Sequence, residues 1–320
     1  MKGQGLHLAQ GATKKIIFIV GPTATGKTAV GALVCQRISG EVVSCDSMQV
    51  YDGVDVLSNK PSRDERKAAF HHLIGHVPLS EEYDVGRYRQ QALRCIDEIF
   101  KRGKIPVVVG GTGMYVKVLL DGIFDAGSVP RWNRWLLEFQ AQLMGSAFMH
   151  RKLQRVDLKA AQKIHPNDLR RIIRGLEVFQ ATGKPLSQWQ DEREGLWGQH
   201  DIRVFGLDMD RAALYDRINR RVDDMFDQNA VQEVSYLRDI HWSRTAKSII
   251  GVQEILNYLS GAWPLERAKE EIKKNSRHLA KRQLTWFRAE KRVEWIMVGV
   301  EEDASAVAQK IMEKMKGGAC

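Results

Sequence analysis

The chain has 320 residues, room for one large core or a core with a smaller added domain, and its 43% hydrophobic and 28% charged residues are those of a globular protein. No apolar run approaches the ~18 residues of a membrane span, and four scattered cysteines (Cys35, Cys45, Cys95, Cys320) without a Cys-x-x-Cys pair argue against a zinc site or disulfide framework and fit a reducing cytoplasm. A net charge of +10 exceeds what an enzyme of small neutral metabolites needs and suits a polyanionic partner.

Residues 1–15 are short of apolar residues and read as a flexible leader rather than a secretory signal. The run Ile16-Ile17-Phe18-Ile19-Val20 then predicts a buried strand, followed by Gly21-Pro22-Thr23-Ala24-Thr25-Gly26-Lys27-Thr28 and an apolar helix from Ala29. This is G-x-x-x-x-G-K-[ST], the P-loop, in the strand–turn–helix context it requires. The backbone from Gly21 through Thr23, Ala24, Thr25 and Gly26 is expected to cradle phosphate oxygens at a helix N-terminus. Lys27 adds a point charge and Thr28 a hydroxyl for magnesium. The motif signifies a phosphate chain without specifying a nucleotide.

Glu41 to Asp46 is a second β-rich run, ending in a carboxylate. A helix from about Val85 to Arg102 and a third buried strand, Ile105 to Val109, follow, closed by Gly110-Gly111-Thr112-Gly113. Buried β runs separated by helices predict an α/β fold, a parallel sheet of the P-loop NTPase kind flanked by helices. Ligands in such sheets bind at the carboxyl ends of the strands, which brings the P-loop, Asp46 and Thr112 to one edge. Asp46 there could hold magnesium or act as a general base. Gln49 carries the donors and acceptors to read an adenine edge. NTP hydrolases usually end a strand with a magnesium-binding acid, and a glycine turn with Thr112 weakens that reading. His71-His72 has no metal-ligand spacing with another His or Cys.

From residue 125 to 200 strand signals vanish, and apolar residues recur at helical spacing, predicting a helical insertion domain with twelve Lys/Arg against eight Asp/Glu. Residues 16–124 and 201–320 would form the core domain. Within the insertion, Arg170, Arg171 and Arg174 follow Asn167-Asp168, which can cap their helix. They are either a phosphate-facing stripe or a solvated face. Ile202 to Leu207 returns the chain to the sheet, and Arg211 to Tyr258 reads as helical. On it Arg217 and Arg221, one turn apart, could grip a diphosphate or pair with Asp216 or Asp223. Between Arg267 and Arg292 stand ten Lys/Arg against three acids. There Leu279, Gln283 and Trp286 share one helical side, and Lys274, Arg277, Lys281 and Arg288 another, expected to meet phosphates. Trp295 to Val298 is the last strand expected, and Asp303 to Lys316 the last helix.

The ordered islands Gly21–Thr28, Asp46-Ser47-Met48-Gln49-Val50-Tyr51, Asn59-Lys60-Pro61, His71–Ile74, Val109–Tyr115, His165–Asp168, Arg171–Val178, Ser248–Gly251 and Lys281-Arg282-Gln283-Leu284-Thr285-Trp286 resemble the tRNA dimethylallyltransferases, also called isopentenylpyrophosphate:tRNA transferases. The resemblance runs from Ile16 to Trp286. Ser58-Asn59-Lys60-Pro61 departs from the version common in bacterial members toward the eukaryotic one, Gly175 stands where alanine is usual, and no zinc finger follows at the C-terminus.

The resemblance implies that the P-loop binds the diphosphate of dimethylallyl diphosphate with magnesium, not a nucleoside triphosphate. Asp46 would take a proton from the exocyclic amine of the adenosine 3′ of the anticodon, with Thr112 orienting it and Lys27 and Arg217 meeting the leaving group, Arg221 being the other candidate. It places tRNA contacts on Asp46, Ser47, Met48, Gln49, Arg170, Arg171 and Arg174, with Arg277, Lys281 and Arg282 tracking the backbone of the anticodon stem-loop. A monomer is expected. The rival readings are an adenylate isopentenyltransferase acting on free AMP, a P-loop small-molecule kinase, and an RNA-binding protein with an inactive P-loop.

Overall fold

The computed structural model describes residues 14–124 and 131–317. β1 (Lys15–Val20) leads into α1 (Lys27–Ile38) and β2 (Gly40–Ser44); α2 (Arg63–Ala68), a two-residue β3 (His71–His72), α3 (Val85–Lys101), β4 (Ile105–Gly110) and α4 (Gly113–Leu120) follow. Four helices come next: α5 (Arg131–Val156), α6 (Leu158–Lys163), α7 (Leu169–Thr182) and α8 (Leu186–Asp191). The chain resumes with β5 (Asp201–Asp208), α9 (Arg211–Asp227), α10 (Ala230–Leu237), a 3-10 turn at Ala246–Ser248, α11 (Val252–Leu259), α12 (Leu265–Arg288), β6 (Val293–Met297) and α13 (Ala304–Gly317).

The six strands form one parallel sheet in the order β3-β2-β4-β1-β5-β6. β1 is central, with Ile17 opposite Val107 of β4 and Arg203 of β5. Its alternate side chains feed two cores, as the two-residue period of a strand requires. Ile16, Phe18 and Val20 pack with Tyr88, Ile99 and Tyr115, whereas Ile17 and Ile19 pack with Val30, Val34 and Leu214. Burial on both faces explains why β1 reads as an unbroken apolar run. α9 and α12 give residues to both cores (Ile218 and Val222; Ala280 and Phe287).

Lys15 belongs to the sheet rather than to a flexible leader, and Lys14 is tied to the neighbouring strand. Lys15 opens β1 and pairs with Asp201 at 3.5 Å, and the Asp201 N–H donates to the Lys14 carbonyl at 3.1 Å. Residues 1–13 of that leader lie outside the described residues. The stretch expected to be helical from Arg211 to Tyr258 is broken twice. Asn229 adopts a left-handed φ of 67°, and residues 238–251 form an irregular link ending at Gly251, φ 105°.

The inserted helices form their own compact unit, Asp121–Gly195. The boundary at Leu120/Leu196 has a local cause: the N–H groups of Leu196 and Trp197 donate to the carbonyls of Leu119 and Leu120, so the return to the core starts before His200. The unit's core joins Leu137, Met149 and Leu153 of α5 to Ile172, Ile173 and Leu176 of α7. α5 is broken at Gly145, which has φ 78° and ψ 166°. Gly175 admits Leu153, since a Cβ there would lie 2.8 Å from its Cδ1. Glycine weakens a helix interior relative to alanine, and here it lets α7 approach Leu153 of α5 more closely.

Candidate active site

The P-loop bends as a phosphate cradle must. Gly21 has φ 141° and lies so close to β5 that a Cβ would meet the Leu207 carbonyl oxygen at 2.4 Å. Ala24 (φ 67°) and Gly26 (φ 81°) complete the left-handed turns. Thr25 is buried and its hydroxyl donates to the Pro22 carbonyl at 2.9 Å. The half-buried Lys27 ammonium donates to the same carbonyl at 2.6 Å. Burial pushes Lys27 down to about 8, with Asp46 opposing and Arg221 reinforcing that shift.

Asp46 is carried to the cradle by the end of β2. The Cys45 N–H donates to Val109 at 2.7 Å, and the Thr112 N–H returns to the Cys45 carbonyl at 3.1 Å, closing the β2 and β4 ends together. Asp46 Oδ1 accepts the Met48 N–H at 2.9 Å. Thr112 Oγ1 accepts the Ser47 N–H at 3.0 Å and donates to Ser47 Oγ at 3.3 Å. Thr112 thus orients Asp46 through the next peptide. Gln49, expected to read a base edge, is buried; its amide donates to the Asn59 carbonyl at 2.8 Å and accepts from Ser44 at 3.2 Å. These bonds hold the loop after β2.

Of the two α9 arginines expected at the diphosphate, Arg221 rather than Arg217 enters the cradle. Its Nη1 donates to the Thr23 hydroxyl at 2.6 Å, and its Nε is buried without a hydrogen-bond partner. Burial lowers its pKa from the usual arginine value, against the pull of Asp46. Arg217 lies further out, bonded to the Val300 carbonyl at 2.7 Å. The alternative pairing with Asp223 does not form, because Lys273 takes that carboxylate at 2.9 Å. Gln283 of α12 is a site residue that motif reasoning placed only on an inward face. Its Oε1 accepts the Thr23 N–H at 2.8 Å and its Nε2 donates to the Gly111 carbonyl at 3.1 Å.

The basic stripe of α12 is only partly available. Lys281 and Arg282 are exposed, and Arg277 donates to Asn219 at 2.6 Å. Arg288 is instead bonded to Asp208, the buried acid at the end of β5, at 2.9 Å, and Lys274 to Glu271 at 3.0 Å. On the inserted unit, Asp168 caps α7 through the Arg171 N–H at 3.2 Å. Arg170, Arg171 and Arg174 are all exposed; Arg171 reaches Asp168 at 3.4 Å and Arg174 reaches Glu177 at 3.1 Å. The Arg171–Asp168 pair is exposed and weak enough to exchange for phosphate, whereas the Glu177 partner of Arg174 is buried.

Two cavities, of about 540 and 290 Å³, share Thr23, Lys27, Asp46, Ser58 and Arg221. The larger runs along Thr28, Gln49, Asn59 and Arg220, and the smaller is walled by Met48, Leu57, Met225, Ile249 and Leu279, with Arg282 and Gln283 at its edge. His71 and His72 hold structure rather than metal: His72 Nε2 bonds Glu41 at 2.7 Å and His71 Nδ1 bonds the Ala69 carbonyl at 2.8 Å. Among the described residues no three His, Cys, Asp or Glu side chains come together to hold a metal, and no helix is long and apolar enough to cross a membrane.

The sequence and the fold are similar to those of known proteins. Residues 49–290 match the IPP transferase family and residues 14–81 the isopentenyl transferase family. The chain belongs to the tRNA dimethylallyltransferase family. The tRNA dimethylallyltransferase of Carboxydothermus hydrogenoformans is 43% identical over 305 residues, covering 95% of this chain and 96% of the relative. That of Geobacter sulfurreducens is 40% identical over 303 residues, covering 94% and 97%.

Among solved structures, the tRNA isopentenylpyrophosphate transferase of Bacillus halodurans is similar with a TM-score of 0.69 at 38% identity, covering 95% of this chain and 96% of that one. A eukaryotic dimethylallyltransferase acting on tRNA gives 0.78 at 30% identity, covering 95% and 78%. The similarity to these bacterial relatives is thus higher in sequence than to the eukaryotic one, despite the Ser58–Pro61 variant.

Proposed function

We propose that this enzyme transfers the dimethylallyl group of dimethylallyl diphosphate to the exocyclic amine of the adenosine 3′ of the anticodon in tRNA, releasing diphosphate. The observation that carries this reading is the meeting of the two cavities at Asp46, Lys27 and Arg221. The cradle takes the diphosphate, and the apolar-walled chamber suits the five-carbon chain and the face of the everted purine.

The amine nitrogen bonds to the allylic carbon as the carbon–oxygen bond breaks, and the bonding pair leaves with the diphosphate. Asp46 accepts the proton that the amine loses. Asp46 Oδ1 is fixed by the Met48 N–H, and its peptide by Thr112, so Oδ2 is the oxygen left to face the amine. Charge growing on the diphosphate meets Lys27, Arg221 and the P-loop N–H groups; Arg217 contributes from further out. Magnesium fits as an ion carried by the diphosphate, because Thr28 offers one hydroxyl to the larger cavity and magnesium keeps water and phosphate oxygens as ligands. When bound it would neutralise part of the leaving group's charge. The acceptor is the anticodon stem-loop, met by Ser47, Met48, Arg277, Lys281 and Arg282 of the core and by Arg170, Arg171 and Arg174 of the inserted unit. The enzyme acts as a cytoplasmic monomer.

The test is nucleoside mass analysis of tRNA after incubation with dimethylallyl diphosphate, with AMP and ATP as separate controls. A five-carbon addition to tRNA adenosine is expected, with no prenyl-AMP and no ATP turnover. Prenylation of AMP alone would overturn the reading.

A further inference from the structure

We infer that Gln283 is a positioning residue that locks the donor cradle to the helix carrying the acceptor-binding bases, so that tRNA engagement on α12 tightens the grip on the diphosphate. This rests on the proposed function. Gln283 bridges the two loops that leave the paired strands β1 and β4, beyond their last register pair, Val20 and Gly110. Its carbonyl takes the Thr23 N–H at 2.8 Å and its amide nitrogen gives to the Gly111 carbonyl at 3.1 Å. Thr23 in turn receives Arg221 at 2.6 Å, and Gly111 precedes Thr112, which fixes the Ser47 peptide at 3.0 Å. One side chain on α12 therefore links the groups that meet the leaving group to those that hold the base.

The same helix reaches the site by other routes. Arg277 binds Asn219 of α9 at 2.6 Å, and the Trp286 ring lies where a Cβ on Gly113 would be, at 2.3 Å. Lys281 and Arg282, adjacent to Gln283, are exposed to a polyanion. A shift or stiffening of α12 on phosphate binding is passed to Thr23 and Gly111 through the Gln283 amide, a short element that both ligands bias.

The experiment uses Gln283→Met, which keeps length and volume but neither bond, and Gln283→Asn, whose shorter amide reaches at most one partner. Inorganic diphosphate with magnesium is titrated calorimetrically into each protein, with and without an anticodon stem-loop, and kcat and both KM values are measured. In the unmodified enzyme the stem-loop should tighten diphosphate binding about fivefold or more. In Gln283→Met that coupling should vanish and diphosphate affinity alone should fall about tenfold, with kcat lowered and the KM for tRNA unchanged. Gln283→Asn should fall between. A folded variant that binds diphosphate normally and keeps the coupling would overturn the inference. If the unmodified enzyme neither binds diphosphate nor prenylates tRNA, the functional reading itself fails.

Discussion

Arg221 donates to the Thr23 hydroxyl across 198 residues of sequence, joining the helix after β5 to the P-loop. Its buried Nε has no hydrogen-bond partner, and its neighbour Lys27 is already depressed to about 8. Two desolvated cations with the single carboxylate of Asp46 acting on both favour the binding of a diphosphate. Arg221→Lys keeps a charge but loses the planar fork. Its kcat/KM for the donor should drop about 10- to 100-fold. Arg217→Lys should cost less than about fivefold, since that guanidinium serves carbonyls at 299–300. Steady-state kinetics on both variants would check the order, and equal losses would place both arginines on the leaving group.

Asp46 accepts only one backbone N–H through Oδ1. Asp46→Asn preserves shape and that bond but cannot take a proton. Prenyl transfer should fall by about two to four orders of magnitude, with stem-loop affinity kept within about threefold. Single-turnover rates and filter binding measure the two separately. Thr112→Val should show a milder version, because Thr112 acts on the Ser47 peptide and not on the carboxylate.

Lys27 gives a pH signature. Its folded pKa, about 8, lies below the ordinary lysine value of 10.5, so the ammonium loses its proton as pH rises through 8. Affinity for diphosphate should weaken above that pH, whereas Lys27→Arg, charged throughout, should lack the inflection. Binding near pH 8 should also take up a fraction of a proton, seen as a buffer-dependent heat in calorimetry. For stability the sign is opposite: the folded protein holds fewer protons at Lys27 between pH 8 and 10.5, so this group makes folding more favourable as pH rises through that window. A diphosphate affinity flat from pH 7 to 9.5 relative to Lys27→Arg would contradict the assignment.

The sequence disclosed the cradle, the parallel sheet around it and Asp46 because each is a local pattern: apolar runs of about five residues alternating with helices, a glycine turn, a carboxylate at a strand end. β3 escaped because two residues, His71 and His72, carry no periodicity. The roles of Gln49 and Gln283 escaped for another reason. An amide suits a base edge and a backbone equally well, and only the fold brings Asn59 to the first and Thr23 to the second. Arg288 joined the predicted phosphate stripe by helical spacing, but Asp208 lies 80 residues earlier and is invisible to any window on α12.

Glu41 is 4% exposed and bonded to Arg102, His72 and Lys104 at 2.7, 2.7 and 3.0 Å. Burial alone would raise its pKa, but those three partners hold it down to about 2, against an ordinary 4.5. A depressed carboxylate stabilises the fold fully above pH 4.5 and loses that contribution as pH falls toward 2. Glu41→Gln should destabilise by about 1–2 kcal/mol at pH 7, a modest figure because Arg102 and Lys104 reach solvent. It should also flatten the acid limb of the stability curve between pH 4.5 and 2. Urea melts at pH 7, 4 and 3 would show the difference between variant and parent shrinking with acidity; a constant difference would exclude Glu41 as the source.

The glycine turn after β4 separates stability from positioning. On Gly110 a Cβ would lie 2.1 Å from the Cys45 carbonyl oxygen, a backbone atom of the neighbouring strand end that cannot yield locally. Gly110→Ala should therefore strain the β2–β4 closure and lower stability by about 1–3 kcal/mol. On Gly111 the first obstacle, at 2.3 Å, is Gln283 Nε2, the tip of a flexible side chain. Gly111→Ala can be accommodated by turning that amide away, which removes its bonds to Thr23 and Gly111 and little else. The melting temperature should then change by no more than about 2–4 °C, while diphosphate affinity falls as in Gln283→Met. Because the two substitutions share one missing amide, the double variant should be scarcely worse than either alone. Additive losses in binding would mean that Gly111 and Gln283 act on the cradle independently.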